Sequence, residues 1–329
     1  MKTTVNDIPH MDRTDWLKRV DAGLARRPAN YFSMYSSIVG GIVTDPALMA
    51  IPVDDHLVHR GDGVFETLKC VEGGIYNLRA HLERLTHSAE GIRLAAPFSM
   101  KESENIIVQT VRAGGRQDVQ IRVLLSRGPG SLGVNPNDCP EPQLYVITAP
   151  LVRPFMETRP NGARIGLSRI PPKPPPFAAL KTCNYLPNAL MAGEGSERGL
   201  DFMIGLDADA HVLEGPTENL AVVTDDGWFV TPDAPHVLPG TTLDRVMALA
   251  GPLVASGMLK GIRKERLPRS VLAHAREIFI LGTSHDVVAV TEVEDERVGT
   301  GAPGPVFAQL SSLLRADIRT NKERRTEIF

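Results

Sequence analysis

The stretch Pro176-Phe177-Ala178-Ala179-Leu180-Lys181-Thr182-Cys183-Asn184-Tyr185-Leu186 places one lysine in a run otherwise apolar or small. An amine held among apolar groups loses solvation, its pKa falls, and it can act as a nucleophile or Schiff-base former. A phenol, Tyr185, follows four residues later, one turn along if the segment coils. The same residues also describe a solvated lysine beside the proline-dense loop Pro171-Pro172-Lys173-Pro174-Pro175-Pro176, so the stretch needs support from elsewhere. Glu214 stands at the end of an apolar run, just before the turn Gly215-Pro216. Pro239-Gly240-Thr241-Thr242 opens a periodic helix, where free N–H groups and the positive end of the dipole accept a phosphate. Gly282-Thr283-Ser284 is a second small-residue turn with a hydroxyl, and Arg84 lies off the apolar stripe of its helix, either solvated or aimed at an anion.

Lysine, phenol, carboxylate and anion contacts are the roles that pyridoxal 5'-phosphate requires. Its aldehyde wants a lysine and its ring nitrogen a carboxylate that keeps it protonated. Its 3-oxygen wants a hydroxyl donor, and its phosphate wants helix-end amides plus an arginine.

These residues must be positioned by a long chain, and 329 residues predict two domains. Residues 1–30 read as an N-terminal arm, with an amphipathic helix over 11–27 that sets Trp16, Leu17, Val20 and Leu24 on one side. Residues 31–148 read as a small α+β domain. Its parts are a glycine-broken strand over 34–43, a strand after Gly61 and Gly63, helices over 79–93 and 101–113, and strands over 119–126 and 143–149. A linker is expected at 149–160, and residues 161–329 form a larger strand-rich domain carrying Lys181. There, hairpins are expected over 201–213 and 219–230, and a closing helix over 304–320.

A formal charge of −3 supplies no basic field for nucleic acid. Cys70, Cys139 and Cys183 are odd in number and widely spaced, which predicts a reducing compartment, no disulfide framework and no metal site. The apolar runs fall short of a membrane span and residues 1–30 lack a signal-peptide pattern, so a cytoplasmic protein is expected.

Six blocks resemble the class IV, fold type IV pyridoxal-phosphate aminotransferases. They are Arg60-Gly61-Asp62-Gly63-Val64-Phe65-Glu66-Thr67, His81-Leu82-Glu83-Arg84-Leu85, Lys181-Thr182-Cys183-Asn184-Tyr185-Leu186, Glu214-Gly215-Pro216-Thr217-Glu218-Asn219, Pro239-Gly240-Thr241-Thr242 and Gly282-Thr283. The similarity runs over about residues 34–315 in family order. It implies an α+β fold of a small sandwich domain and a larger pseudo-barrel domain, a homodimer with the site near its interface, and pyridoxal 5'-phosphate as cofactor. By the same resemblance Lys181 is the catalytic Schiff-base lysine, Tyr185 bonds the 3-oxygen, and Glu214 meets the ring nitrogen. Arg84, Thr241, Thr242 and Thr283 form the phosphate cup, and Leu238 packs on the ring.

The implied reaction is transfer of an amino group between an amino acid, of D or L hand, and a 2-oxo acid. The alternatives are an aminodeoxychorismate lyase, a branched-chain aminotransferase, or a cofactor-binding protein without turnover. Leu132-Gly133-Val134 stands where D-amino-acid transaminases of one type carry a carboxylate trap. Gln120-Ile121-Arg122 retains only the arginine of the branched-chain pattern, and Ser126-Arg127-Gly128-Pro129-Gly130 is similar to a loop of the lyase. Ile170 to Ala178 and Asn184 to Asn188 are similar to a branch described both as D-amino-acid transaminase and as lyase. Arg60, reaching over from a partner subunit, Phe65, Arg122, Lys173 and Thr217 are the candidates for substrate contact.

Overall fold

Val119–Ser126 alternates buried with half-buried residues, and that parity builds the first sheet. Val119, Ile121, Val123 and Leu125 face a core shared with Leu82, Leu85, Ile107 and Val111, from the helices Leu78–Gly91 and Met100–Gly114. The second helix is closed at both ends. Ser99 and Glu102 form a reciprocal capping box, and Gly115 ends it in the left-handed conformation at φ 63°. The computed structural model describes residues 10–24, 30–233 and 235–329.

This sheet has seven antiparallel strands in the order Arg325–Glu327, Gly74–Tyr76, Gly63–Val71, Val119–Ser126, Gln143–Pro150, Ser33–Ser36, Gly41–Val43. The single strand expected over 34–43 is therefore a hairpin of two short strands, turning through Gly40 at φ 68°. The last strand brings the C-terminal end of the chain back to the first sheet. The N-terminal helix spans Arg13–Leu24, and the rest of its expected range, residues 25–27, lies outside the described residues. Trp16 and Leu17 are exposed on it while Val20 is half-buried, so only part of the expected apolar side is covered.

The second sheet is built differently. Asn219–Val223 is buried at every residue and Glu277–Gly282 at all but the last, as strands covered on both faces are. One core, with Ile165, Val222, Ile278 and Val288, fills one face. The other, with Phe229, Leu243, Val246, Phe279 and Leu310, lies under the helices Thr241–Leu249 and Pro305–Thr320. The main path runs Gly261–Lys264, Trp228–Thr231, Asn219–Val223, Glu277–Gly282, Asp286–Val293, Ala163–Leu167, Phe202–Ile204, with Glu296–Arg297 paired to Asp286–Val293. Antiparallel and parallel pairs mix in it. The hairpin expected over 201–213 forms as an irregular antiparallel pair. Asp207 N–H donates to His211 O at 3.0 Å, Leu213 N–H donates to Gly205 O at 2.9 Å, and a bridge joins Leu206 to Val212. His211–Val212 pairs in addition with Leu267–Pro268.

Phe229 and Phe279 stack at the centre of this core, ring centroids 5.8 Å apart, with no exposed surface. Phe279→Ala is expected to cost about 3–5 kcal/mol, because the stacked partner and the covering helices cannot close the cavity. A fall in the unfolding free energy of that size, read from denaturant curves, with activity per folded molecule retained, is the outcome to measure.

The two sheets meet at the lysine segment. Phe65 N–H donates to Lys181 O at 3.0 Å and Cys183 N–H donates to Gly63 O at 2.8 Å, with a bridge between Val64 and Thr182. Lys181 is thus tied by its backbone to the strand Gly63–Val71. No helix among the described residues is long and apolar enough to cross a membrane.

Candidate active site

Where the strand Gly63–Val71 meets the turn after Glu277–Gly282 and the start of Thr241–Leu249, a cavity of about 290 Å³ opens. Lys181, Arg84, Tyr185, Leu238, Thr241, Thr242 and Thr283 line it, as do Phe65, Arg122 and Thr217. Ten residues named from their types or from the resemblance, scattered over more than two hundred positions, come to one hollow.

Lys181 is 7% exposed and its Nζ lies 4.6 Å from the Phe65 ring centroid and 5.9 Å from that of Tyr185. Burial, with the nearby Arg84 charge, pulls its amine down to about 8, so a reactive neutral fraction exists near neutrality. The segment does not coil between Lys181 and Tyr185. Lys181–Cys183 lies along the first sheet and Tyr185 caps the helix Leu186–Glu197, yet both side chains still reach the cavity.

At the far wall the helix Thr241–Leu249 starts from Gly240 with no side-chain cap. Its first intrahelical bond runs from Asp244 N–H to Gly240 O at 2.9 Å, which leaves the N–H groups of Thr241, Thr242 and Leu243 without intrahelical partners. Gly240 has to be glycine, since an added Cβ would collide with Asn219 Oδ1. Arg84 stands beside this helix end. Its Nε and Nη2 donate to the two oxygens of Glu66, each at 2.7 Å, and Nη1 donates to Pro239 O at 3.0 Å. A guanidinium has five N–H donors, so two are left for an anion. Burial works against the Glu66 charge, but Arg84 and His81 outweigh it and hold the acid at about 2.

Glu214 is half-buried behind the cavity. Its Oε2 accepts from Asn219 Nδ2 at 2.9 Å and from Leu238 N–H at 3.1 Å, and Oε1 has no hydrogen bond among the described residues. Burial pushes it up to about 8. Burial also raises Tyr185, which keeps the phenol protonated as a donor. A buried amine, a phenol donor, an acid with one free oxygen and an arginine beside uncapped helix amides fit pyridoxal 5'-phosphate group by group.

The substrate candidates divide. Arg122 lies over the Phe65 ring at 5.0 Å, lines the cavity and has no ion pair among the described residues, and burial lowers its pKa. Thr217 is bonded through its hydroxyl to Glu218. Lys173 lies outside the cavity, its Nζ 5.0 Å from the Tyr185 ring centroid and donating to Leu180 O at 3.4 Å. Arg60 is exposed and turned away, its guanidinium on the carbonyls of Leu132 and Gly133. Within one chain Arg60 does not reach the site.

Glu66, His81, Asn219 and the pair Glu218–His285 were not singled out by residue type, yet they frame the cavity. Strand parity could have revealed Glu66. It shares a face with Val64, Leu68 and Cys70, all fully buried, and an acid there must be paired.

The family Amino-transferase class IV matches residues 63–293. The chain is 37% identical over 298 residues to the chloroplastic D-amino-acid transaminase of Arabidopsis thaliana, covering 90% of this chain and 79% of that one. It is 29% identical to a putative branched-chain-amino-acid aminotransferase of Methanocaldococcus jannaschii, covering 86% and 96% respectively. The solved branched-chain amino acid aminotransferase of T.th. with pyridoxamine 5'-phosphate superposes with a TM-score of 0.82 at 27% identity, over 90% of this chain and 98% of that one. The chain belongs to the class IV amino-transferase family and is a transaminase of fold type IV.

Proposed function

We propose that the chain moves amino groups between an amino acid and a 2-oxo acid with pyridoxal 5'-phosphate held at Lys181. The observation that carries this is the placement of one buried, pKa-lowered amine in the same cavity as an uncapped helix start braced by Arg84. When bound, the cofactor supplies an aldehyde to take the amino group and a ring to accept the electron pair left when the substrate Cα–H bond breaks. Lys181 Nζ then takes the Cα proton and returns it, at a pKa matched to near-neutral work. Glu214 holds a proton on the ring nitrogen, Tyr185 donates to the 3-oxygen, and Leu238 and Phe65 pack on apolar surface. Arg84, Thr241, Thr242 and Thr283 hold the phosphate.

Arg122 is the best-supported contact for a substrate carboxylate, being a cavity guanidinium with no carboxylate of its own among the described residues. Thr217 lines the same cavity, and Lys173 stands outside it over the Tyr185 ring. Arg60 is read as serving a partner's site, in a homodimer. The interdomain boundary is read at 149–160 and the compartment as the cytoplasm. Similarity to the Arabidopsis thaliana transaminase supports a D-amino donor. Arg127, from the lyase-like loop, is held on Asp62 by two bonds of 3.0 and 3.1 Å, so that loop brings no arginine to the cavity.

Paired D- and L-amino acids added without an oxo acid test the reading through the cofactor's absorbance. A D-amino acid is expected to convert the aldehyde form stoichiometrically to pyridoxamine 5'-phosphate. Conversion by L-donors alone would reverse the assigned hand, and conversion by no donor would overturn transamination at this site.

A further inference from the structure

Behind the proposed phosphate cup, four side chains form one continuous line. Arg84 grips Glu66 at both oxygens, and His81 Nδ1 lies 2.7 Å from Glu66 Oε2. His81 Nε2 then lies 3.3 Å from Thr241 Oγ1, at the first residue of the helix. Glu66 is 1% exposed, His81 2% and Thr241 8%. The line joins the arginine and the helix start, which come from elements far apart in the chain, and one carboxylate carries both.

The hydrogen positions follow from donor counting. Glu66 is ionised and can only accept, so His81 Nδ1 carries a hydrogen. The groups facing His81 are Glu66, which favours a charged ring, and Arg84 and Lys181, which oppose it. Burial adds to the opposition and the net direction is down, toward a neutral ring in the cofactor-free chain. With Nε2 bare, the Thr241 hydroxyl must point its hydrogen at the imidazole. The Thr241 hydroxyl then presents only lone pairs to the cavity, an arrangement that opposes a phosphate oxygen at that one contact.

We propose that Glu66 and His81 are positioning residues that couple capture of the phosphate to uptake of one proton at His81 Nε2. As the phosphate settles, the Thr241 hydroxyl passes its hydrogen to Nε2 and receives another from solvent in the cavity. The ring gains one proton and the hydroxyl keeps one, now directed at the phosphate. The dianion offsets the charge that burial opposed, and Nε2–H donates to Thr241 Oγ1 in place of accepting from it. This rests on the cofactor reading above, but it concerns the phosphate alone.

Calorimetric titration with pyridoxamine 5'-phosphate, which has no aldehyde to join Lys181, tests it. Above about pH 7 the ester is already dianionic, so the phosphate itself takes up no proton. Uptake at the ring nitrogen, Glu214 or Lys181 is common to wild type and variants and cancels in their difference. Comparing buffers of different ionisation enthalpy counts the protons taken up. The wild-type protein is expected to take up about one proton more than His81→Gln near pH 8, with a Kd rising up to about tenfold more per pH unit than in the variant. Thr241→Val, which keeps the backbone N–H and the side-chain shape, is expected to lose the same uptake even if His81→Gln folds poorly. Equal proton counts in wild type and Thr241→Val would overturn the coupling. Absence of any binding heat with wild type would instead overturn the cofactor reading, and this inference with it.

Discussion

Lys181→Ala is expected to abolish transamination, by on the order of 10⁴–10⁶-fold, while leaving the fold and phosphate capture intact. The side chain makes no hydrogen bond through Nζ among the described residues, so its loss removes chemistry and little structure. Its backbone N–H still donates to Ser88 Oγ at 3.1 Å, and its carbonyl still accepts the Phe65 N–H. Removing an amine that burial holds at about 8 also relieves a desolvation cost, so the thermal midpoint of the variant should not fall. Measured turnover together with pyridoxamine 5'-phosphate affinity separates the effects. Lost turnover with affinity kept within a few-fold is the expected pattern. Substantial residual turnover would remove Lys181 from the reaction.

Glu214→Gln should lower turnover on the order of 10²–10³-fold, the usual effect of losing one preorganised charged group at a reacting centre. The amide keeps the shape and can still accept from Asn219 Nδ2 and Leu238 N–H, so the loss reports charge and not collapse. The same change should stabilise the cofactor-free chain at neutral pH. Burial lifts Glu214 from the ordinary 4.5 to about 8, so the folded state prefers the protonated acid. The stability this group contributes is full below 4.5 and is lost as pH rises toward about 8. Wild type should therefore lose, between those limits, on the order of 1–4 kcal/mol that Glu214→Gln retains. Denaturation of the two cofactor-free proteins at about pH 5 and about pH 7.5, inside that window, measures it, and parallel pH curves would contradict the buried-acid account.

Much of the site could be read from residue types because its parts lie in short, self-contained blocks. Lys181 and Tyr185, Glu214, and Gly240-Thr241-Thr242 each announce a role through neighbours a few positions away, and all but Glu214 line the cavity directly. Parts that depend on long-range pairing were less legible. Arg60 sits in a matching block, yet the carbonyls of Leu132 and Gly133, more than seventy residues on, turn it away. The strand His211–Val212 keeps its near neighbour and also pairs with Leu267–Pro268, a second partner more than fifty residues on that a local hairpin signal does not specify. The last strand, Arg325–Glu327, is three residues of polar sequence and acquires its state only by pairing with Gly74–Tyr76. Arg84 was legible as an anion contact, but Glu66, which aims it, looks like any charged residue until strand parity places it inside.

Borohydride treatment of the purified protein mixed with pyridoxal 5'-phosphate, followed by peptide mapping, tests the central claim most directly. A stable phosphopyridoxyl group confined to the peptide carrying Lys181, and blocked by prior saturation with pyridoxamine 5'-phosphate, is the predicted result. A label spread over surface lysines, or centred on Lys173, would contradict it.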